Sequence, residues 1–200
     1  MILEGVVTTT NPDQSMNVSP MGPKFDAVLS GQSLEEFVLR PFQTSTTYRN
    51  LKRTGAGVLH VTDDVLLIAK AAVGKLTDSP PSRPANVIDG FVLAEACRWY
   101  EFEVKRLDDV EERTTIECKI VERGRIRDFW GFNRAKHAVL EAAILATRVG
   151  IISDADIVNG IEPLRVLVEK TGGPAEHEAF GLLDEYVAAL WPEATANESR

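Results

Sequence analysis

Four consecutive hydroxyl side chains lie where a predicted strand passes into a predicted helix, namely Thr44, Ser45, Thr46 and Thr47. Arg40 and Arg49 lie on either side of this run. The first turn of a helix carries backbone N–H groups without intrahelical acceptors and the positive end of the helix dipole. Hydroxyl and guanidinium donors beside such a turn suit a phosphate group. The alternative is that Ser45 or Thr46 only caps the helix.

A second polar segment joins Thr8-Thr9-Thr10 to the run Asn17-Val18-Ser19-Pro20-Met21-Gly22-Pro23. Pro20 and Pro23 have no amide proton to donate, and Gly22 allows a flat ligand or another backbone to approach closely. A strand that stops pairing at this point exposes backbone amides and carbonyls to the edge of a heteroaromatic ring. The alternative is a sheet edge marked by prolines.

The other reactive side chains give weaker indications. The three histidines lie on different predicted elements without a cysteine or carboxylate at metal-ligand spacing, so no metal site is expected. They are His60, His137 and His177. Cys97 and Cys118 either face each other on two strands or are buried free thiols. The run Arg123–Arg127 is either a solvated strand end or a group that reaches a phosphate across a dimer interface. No catalytic residue is predicted.

The composition excludes several classes of protein. Among 200 residues, 22 are basic and 30 acidic, which gives a net charge of −8 and argues against nonspecific binding of nucleic acid. Hydrophobic residues make up 44%, enough for a buried core. No apolar run is long enough to cross a membrane, and the first residues do not resemble a signal peptide. We therefore expect a cytoplasmic protein. Without a Gly-x-Gly-x-x-Gly or Walker motif, a Rossmann NAD domain or P-loop NTPase is not expected.

Apolar alternation and turn residues predict a β-rich domain over residues 1–128. The predicted strands cover residues 3–10, 16–21, 25–30, 37–40, 57–62, 91–105 and 114–122. A short helix over 45–53 is predicted to end at Gly55, and a helix over 65–73 to be capped by Asp63-Asp64. Gly31-Gln32 is predicted to turn between two strands. Ser33–Glu36 matches a helix capping box, but Pro41 excludes a longer helix there. The three prolines in 78–86 predict a surface loop.

In the C-terminal part, residues 129–200, the apolar residues recur at helical spacing instead of alternating with polar ones. One helix is predicted over 133–148, one from Asp154 to just before Gly172, and one from Pro174 to about Leu190. A frayed tail is predicted after Trp191. The sequence therefore predicts a β-rich domain followed by an α-helical subdomain.

Four segments of the chain resemble a known family. Asn17-Val18-Ser19-Pro20-Met21-Gly22 and Thr44-Ser45-Thr46-Thr47-Tyr48-Arg49-Asn50-Leu51 are similar to flavin reductase-like FMN-binding split barrels. In particular, they resemble the uncharacterised prokaryotic family called domain of unknown function 447. Arg98-Trp99-Tyr100-Glu101 and Asn133-Arg134-Ala135-Lys136-His137 resemble later segments of that family. The resemblance extends over nearly the whole chain.

The resemblance implies a mainly β fold with α-helices: a six-stranded Greek-key split barrel followed by a three-helix appendage. It also implies a homodimer with FMN near the subunit interface. By position, the phosphate and ribityl chain would be held by Thr44, Ser45, Thr46 and Thr47, with Asn50 in the same segment. The isoalloxazine would lie along Asn17, Ser19, Met21 and Gly22. Flavin reductases often have a lysine and an aspartate where this chain has Ser45 and Thr46, so Arg40 or Arg49 would balance the phosphate charge.

Three functions are compatible with these expectations. The first is a flavin-dependent oxidoreductase or flavin reductase, in which FMN performs the hydride or electron chemistry with NAD(P)H or a small molecule as partner. The second is a non-enzymatic dimer that stores FMN or binds another phosphorylated ligand. The third keeps the barrel without flavin and uses its helices to bind a partner. None of the three requires nucleic acid or a membrane.

Overall fold

The computed structural model describes residues 1–25 and 34–190. The predicted strand beyond Phe25, the turn at Gly31-Gln32, the first residue of the capping box at Ser33 and the tail after Trp191 lie outside the described residues. The chain forms two compact units. The first comprises Met1–Asp63 and Asp78–Phe129, and the second comprises Asp64–Thr77 and the residues from Trp130 onwards.

Strands and helices follow one another along the chain, with most strands before residue 128 and most helices after it. In order, they are β1 (Gly5–Thr10), β2 (Met16–Met21), β3 (Glu36–Leu39), α1 (Thr46–Thr54), β4 (Ala56–Val61), α2 (Val65–Ala72), β5 (Ser82–Pro84), β6 (Phe91–Leu93), β7 (Arg98–Asp108), β8 (Thr115–Arg125), α3 (Arg134–Ala146), α4 (Asp154–Thr171) and α5 (Pro174–Leu190).

The first unit is built on a six-stranded sheet with the strand order β2-β1-β4-β7-β8-β3, in which every pair is antiparallel. This confirms the predicted combination of an antiparallel β structure with helices. The predicted barrel is not closed by a ladder between the edge strands in the described part of the chain. Instead, a single bridge pairs Lys24, just after β2, with Val38 of β3. Pro23 cannot donate to a ladder, and among the described residues the pairing at this edge consists of this one bridge.

The apolar residues on one face of the sheet form a core that also receives α1. Phe37 lies at its centre, with ring centroids 5.7 Å from Phe25 and 5.1 Å from Phe102. Tyr48 and Leu51 of α1 belong to the same buried cluster. Because these two residues lie on one face of the helix, the core fixes which face of α1 is turned towards the sheet.

The structure corrects the predicted surface loop over 78–86 and the predicted single strand over 91–105. Residues 82–84 form β5, which pairs with β6 in a separate two-stranded sheet. The long strand is interrupted after Leu93, because the amide of Ala94 bonds to the carbonyl of Pro81 and that of Cys97 to the carbonyl of Val61. The intervening residues contain no glycine or proline to signal this break in the sequence.

A buried carboxylate holds the loop between β5 and β6. Glu101 is fully buried, and its two oxygens accept hydrogen bonds from three successive backbone amides: Asn86 at 2.6 Å, Val87 at 2.7 Å and Ile88 at 3.1 Å. Three backbone donors can stabilise a carboxylate that has been removed from water. Glu101 therefore determines the conformation of this loop.

The second unit contains four helices in the described residues, and not the three of the predicted C-terminal appendage. The additional member is α2, whose Val65 and Ala69 pack in one buried cluster with Ala135, Ala138 and other apolar residues of α3, α4 and α5. Asp64 caps α2, as predicted. The three-helix appendage is thus not confirmed, because an apolar face on α2 does not show which core will receive it. Within the described residues, none of the helices is both long and apolar enough to span a bilayer.

Candidate functional site

Helix α1 begins as the sequence predicts. Ser45 is its N-cap, with an extended backbone and a side-chain oxygen that accepts a hydrogen bond from the amide of Tyr48 at 3.1 Å. Gly55 ends the helix in the left-handed conformation, at φ 68°. The capping role therefore applies to Ser45, whereas Thr44 is exposed and Thr46 is half-buried at the first turn.

Of the two candidate basic residues, Arg49 is the one tied to this turn. Its guanidinium donates a hydrogen bond of 3.2 Å from Nη2 to the hydroxyl of Thr46. Arg40 is exposed, and its carbonyl accepts a bond from the guanidinium of Arg113 at 3.2 Å. The structure thus places a positive charge beside the hydroxyl groups of the first turn, on the helix end whose dipole also favours an anion.

A network of amide and hydroxyl groups lies behind the first turn, and we call it the Thr9 network: Thr9, Asn11, Asn17, Thr47 and Asn50. The side-chain nitrogen of Asn17 donates to the hydroxyl oxygens of Thr9 at 3.1 Å and Thr47 at 3.2 Å. The side-chain nitrogen of Asn50 donates to the same Thr9 oxygen at 3.0 Å and to the side-chain oxygen of Asn11 at 2.8 Å. The network therefore connects β1, β2 and α1.

Burial separates the members of this network. Thr9 and Thr47 are each 1% exposed and Asn50 is 2% exposed, whereas Asn17 is half-buried. The structure thus turns the predicted binding residues Thr47 and Asn50 towards the interior, where they support the first turn from behind. Asn17 is the member that lies between this interior and the surface.

The predicted isoalloxazine residues lie on one face of β2, an edge strand of the sheet. Asn17, Ser19 and Met21 alternate along it and are all half-buried. Asn17 is at the α1 end, and Met21 lies four residues further along, a span of about 13 Å in a strand. Gly22 follows directly. The structure therefore brings Asn17 together with Thr47, and places Ser19, Met21 and Gly22 progressively further from the helix.

Three further contacts that the sequence did not reveal hold α1 in place. The hydroxyl of Tyr48 donates to Asp109 at 2.6 Å, and Lys52 Nζ lies 2.7 Å from the same carboxylate oxygen. The hydrogen bond between Lys52 and Asp109 raises the pKa of the lysine and lowers the pKa of the aspartate. On the other side, the guanidinium of Arg53 donates to the carbonyl of Thr10. Helix α1 is thus connected both to β1 and to the turn after β7.

Trp99 of the third family-like segment, the arginine run and the cysteines all have structural surroundings within the chain. Trp99 is buried, with the guanidinium of Arg83 5.0 Å from its ring centroid. Each arginine of the run Arg123–Arg127 forms an ion pair within the chain: Arg123 with Glu35, Arg125 with Asp128 and Arg127 with Asp63. Both cysteines are free and buried.

His60 is fully buried within the first unit. Its Nε2 accepts a hydrogen bond from the amide of Leu93 at 3.0 Å, so Nδ1 carries the proton and donates to the carbonyl of Val6 at 3.2 Å. Burial lowers the pKa of His60 to about 4. This histidine is therefore neutral and connects β1, β4 and β6.

Comparisons with known families match most of the chain. The model of the family described as "Protein of unknown function (DUF447) N-terminal domain" matches residues 3–127. A second model of the same family, described as "Protein of unknown function (DUF447)", matches residues 133–185. No curated protein matches the sequence significantly.

Solved structures provide a second comparison. An FMN-bound protein from Methanosarcina mazei, assigned to DUF447, is 25% identical and matches with a TM-score of 0.76 over 92% of this chain and 94% of its own. Nitrilotriacetate monooxygenase component B from Mycobacterium thermoresistibile is 11% identical, with a TM-score of 0.50 over 63% of this chain and 70% of its own. The second likeness concerns the fold alone.

Proposed function

The chain belongs to the DUF447 family, and from this membership we propose that it binds FMN. One observation carries the proposal: the FMN-bound Methanosarcina mazei protein shares the fold over nearly the full length of both chains. The resemblance found in the sequence leads to the same family through the segments around Asn17 and Thr44–Leu51.

The residues at the first turn of α1 fit a phosphate group. By helix geometry, the amides of Thr46 and Thr47 have no intrahelical acceptor, and the amide of Tyr48 is capped by Ser45. The hydroxyls of Thr44 and Thr46 and the guanidinium of Arg49 add donors at the same end of the helix. These groups supply positive potential and hydrogen bonds without requiring the lysine that flavin reductases often use.

We assign the phosphate to Thr44, Ser45, Thr46 and Arg49, and the isoalloxazine to the face of β2 that carries Asn17, Ser19, Met21 and then Gly22. Thr47 and Asn50 support these groups from the interior through the Thr9 network. Arg40 is the weaker candidate for the phosphate, because Arg49 is the residue bonded to the first turn. The proposed FMN site belongs to the part of the chain up to residue 128.

The function that follows is a flavin-dependent oxidoreductase, because the flavin supplies the hydride or electron transfer when bound. The chain's contribution is to bind the phosphate, to orient the ring along β2 and to surround it with hydrogen-bond donors. We further propose a homodimer with FMN near the subunit interface, as the family resemblance implies.

The decisive experiment uses the purified full-length chain. We expect it either to carry the visible absorption of oxidised flavin or to acquire it when titrated with FMN, with quenching of flavin fluorescence. A chain that neither carries flavin nor binds added FMN contradicts the proposal. Oxidation of NADH or NADPH that depends on FMN would establish an oxidoreductase, whereas binding without turnover would indicate a flavin-storing module. Light scattering with and without FMN tests the homodimer.

A further inference from the structure

We infer that Thr9 is a positioning residue for the FMN site, and that it sets the distance between the residues for the phosphate and the residues for the isoalloxazine. This inference rests on the proposed function. Thr9 is almost completely buried, so it does not itself contact a ligand. It acts through Asn17 on β2 and through Asn50 on α1.

The hydroxyl oxygen of Thr9 accepts two hydrogen bonds, from Asn17 at 3.1 Å and from Asn50 at 3.0 Å. A hydroxyl oxygen has two lone pairs, so both are used. The nitrogen of Asn17 also bonds to Thr47, which lies three residues before Asn50 on the same helix face. A single oxygen on β1 therefore links the half-buried strand β2 to Asn50 of α1, and Asn17 adds a second link to the helix at Thr47.

Removing this oxygen leaves one N–H group of each amide without its acceptor in a region from which water is largely excluded, and such groups are costly to leave unpaired. Asn17 then keeps only its bond to Thr47. Asn50 keeps only its bond to Asn11, and both side chains can move towards other acceptors. Since Asn17 lies at the α1 end of the proposed isoalloxazine face, this movement changes the ligand site itself. Loss of the Thr9 hydroxyl should therefore affect FMN more than it affects the rest of the fold.

The neighbouring Thr8 provides a matched control. It is equally buried on the same strand, and its hydroxyl donates a hydrogen bond of 2.6 Å to the carbonyl of Phe91. Because side chains alternate along a strand, Thr8 points to the opposite side of the sheet from Thr9. Its hydrogen bond is directed to β6 and away from Asn17 and Asn50.

The test compares Thr9→Val, Thr9→Ser and Thr8→Val in the full-length chain. Each variant is titrated with FMN, and the flavin absorption bands and the melting temperature are recorded. We expect Thr9→Val to bind FMN about tenfold more weakly, as the loss of about one hydrogen bond's stabilisation implies, with the bands moved towards those of free flavin. Thr9→Ser keeps the oxygen and should restore affinity to within about twofold. Thr8→Val should lower the melting temperature but leave the affinity and the bands unchanged.

The outcomes separate this inference from the proposed function. If the wild-type chain does not bind FMN, the proposed function fails. If the wild type binds FMN but Thr9→Val and Thr8→Val weaken binding equally, Thr9 contributes only to stability and the inference is overturned. Unchanged FMN bands and affinity in Thr9→Val also overturn it. If Thr9→Val does not fold, Thr9→Cys is tested in its place, because its sulfur is a weak acceptor. FMN binding by Thr9→Cys with the affinity and bands of the wild type would likewise overturn the inference.

Discussion

The side-chain amide of Asn17 donates a hydrogen bond to the hydroxyl of Thr47, with 3.2 Å between nitrogen and oxygen and a sequence separation of 30 positions. Asn17 belongs to the edge strand β2 and Thr47 to the first turn of α1. The contact joins the two polar segments that the sequence indicates separately. This side-chain hydrogen bond therefore holds the first turn of α1 beside the start of β2.

Ser45 allows helix capping to be separated from phosphate binding. Aspartate is as good an N-cap as serine, so Ser45→Asp should retain the stability of the wild type. Its negative charge at the helix start should, however, prevent FMN binding by repelling the phosphate. Ser45→Ala should lower the free energy of unfolding by about 1 kcal/mol. Denaturant unfolding measures the stability of each variant, and fluorescence titration with FMN measures its affinity for the flavin. Undiminished FMN binding by Ser45→Asp would place the phosphate elsewhere.

The two arginines beside the first turn should differ in their effect on FMN. Arg49→Gln removes the guanidinium that contacts Thr46 and should weaken FMN binding about tenfold, the effect of losing one charge-assisted hydrogen bond. Arg40→Gln serves as the matched control and should change affinity by about twofold at most. Isothermal titration at low and high ionic strength provides the measurement, and the effect of Arg49 should shrink as salt rises. A larger loss of FMN affinity in Arg40→Gln than in Arg49→Gln would instead assign the contact with the phosphate to Arg40.

Glu101 should be among the residues whose substitution most reduces stability. Glu101→Gln replaces one of its oxygens by an NH₂ group that faces backbone N–H donors, so at least one buried donor loses its acceptor. We expect the free energy of unfolding to fall by about 2–3 kcal/mol. Glu103→Gln, two residues along β7 and exposed, should change it by less than about 0.5 kcal/mol. Equal effects in urea unfolding would show that the three amide bonds do not stabilise the loop.

His60 should make the stability depend on pH in a defined window. Its pKa is about 4 in the folded chain and 6.5 when unperturbed, so between these values the unfolded chain binds more protons. The free energy of unfolding is therefore fully retained above about pH 6.5 and falls as the pH decreases towards 4, by about 3 kcal/mol in total. Urea unfolding between pH 4 and 7 measures this slope.

Two variants isolate the contribution of this histidine. His60→Gln stays neutral over the whole range and should lack the corresponding part of the slope, whatever its stability at pH 7. His137 is exposed, so His137→Gln should retain the wild-type slope. A slope that is identical in the wild type and in His60→Gln would mean that other groups cause the acid sensitivity.

Local features of the fold could be predicted from the sequence, whereas the features that depend on distant contacts could not. The start of α1 at Ser45 and its end at Gly55 depend on neighbouring backbone groups, and both agree with the prediction. The role of Thr9 depends on its pairing with Asn17 across the β1–β2 register and on the packing of Asn50. A threonine in a strand has no local signal for these partners.

The hairpin of β5 and β6 illustrates the same limit. Its first strand, Ser82–Pro84, contains a proline and no strongly β-forming side chain, so local propensity favours a loop there. It is held instead by Glu101, by the hydroxyl of Thr8 and by His60, which all lie on other strands. These contacts join residues that are far apart in the sequence, so they can be identified only in the folded sheet.

The position of α2 in the chain has a consequence for dissecting the protein. The helix follows β4 and precedes β5, yet its Val65 and Ala69 are buried with residues of α3, α4 and α5. The polypeptide therefore leaves the first unit after Asp63 and re-enters it at Asp78. A fragment that ends near residue 128 would contain α2 without the helices against which its apolar face packs. A fragment that starts there would lack α2, which contributes to the core of the second unit. To express the first unit alone, the segment Asp64–Thr77 has to be replaced by a linker, and to express the second unit alone, the same segment has to be attached to it. For the same reason, proteolysis near residue 128 should not release two fragments that are each stable.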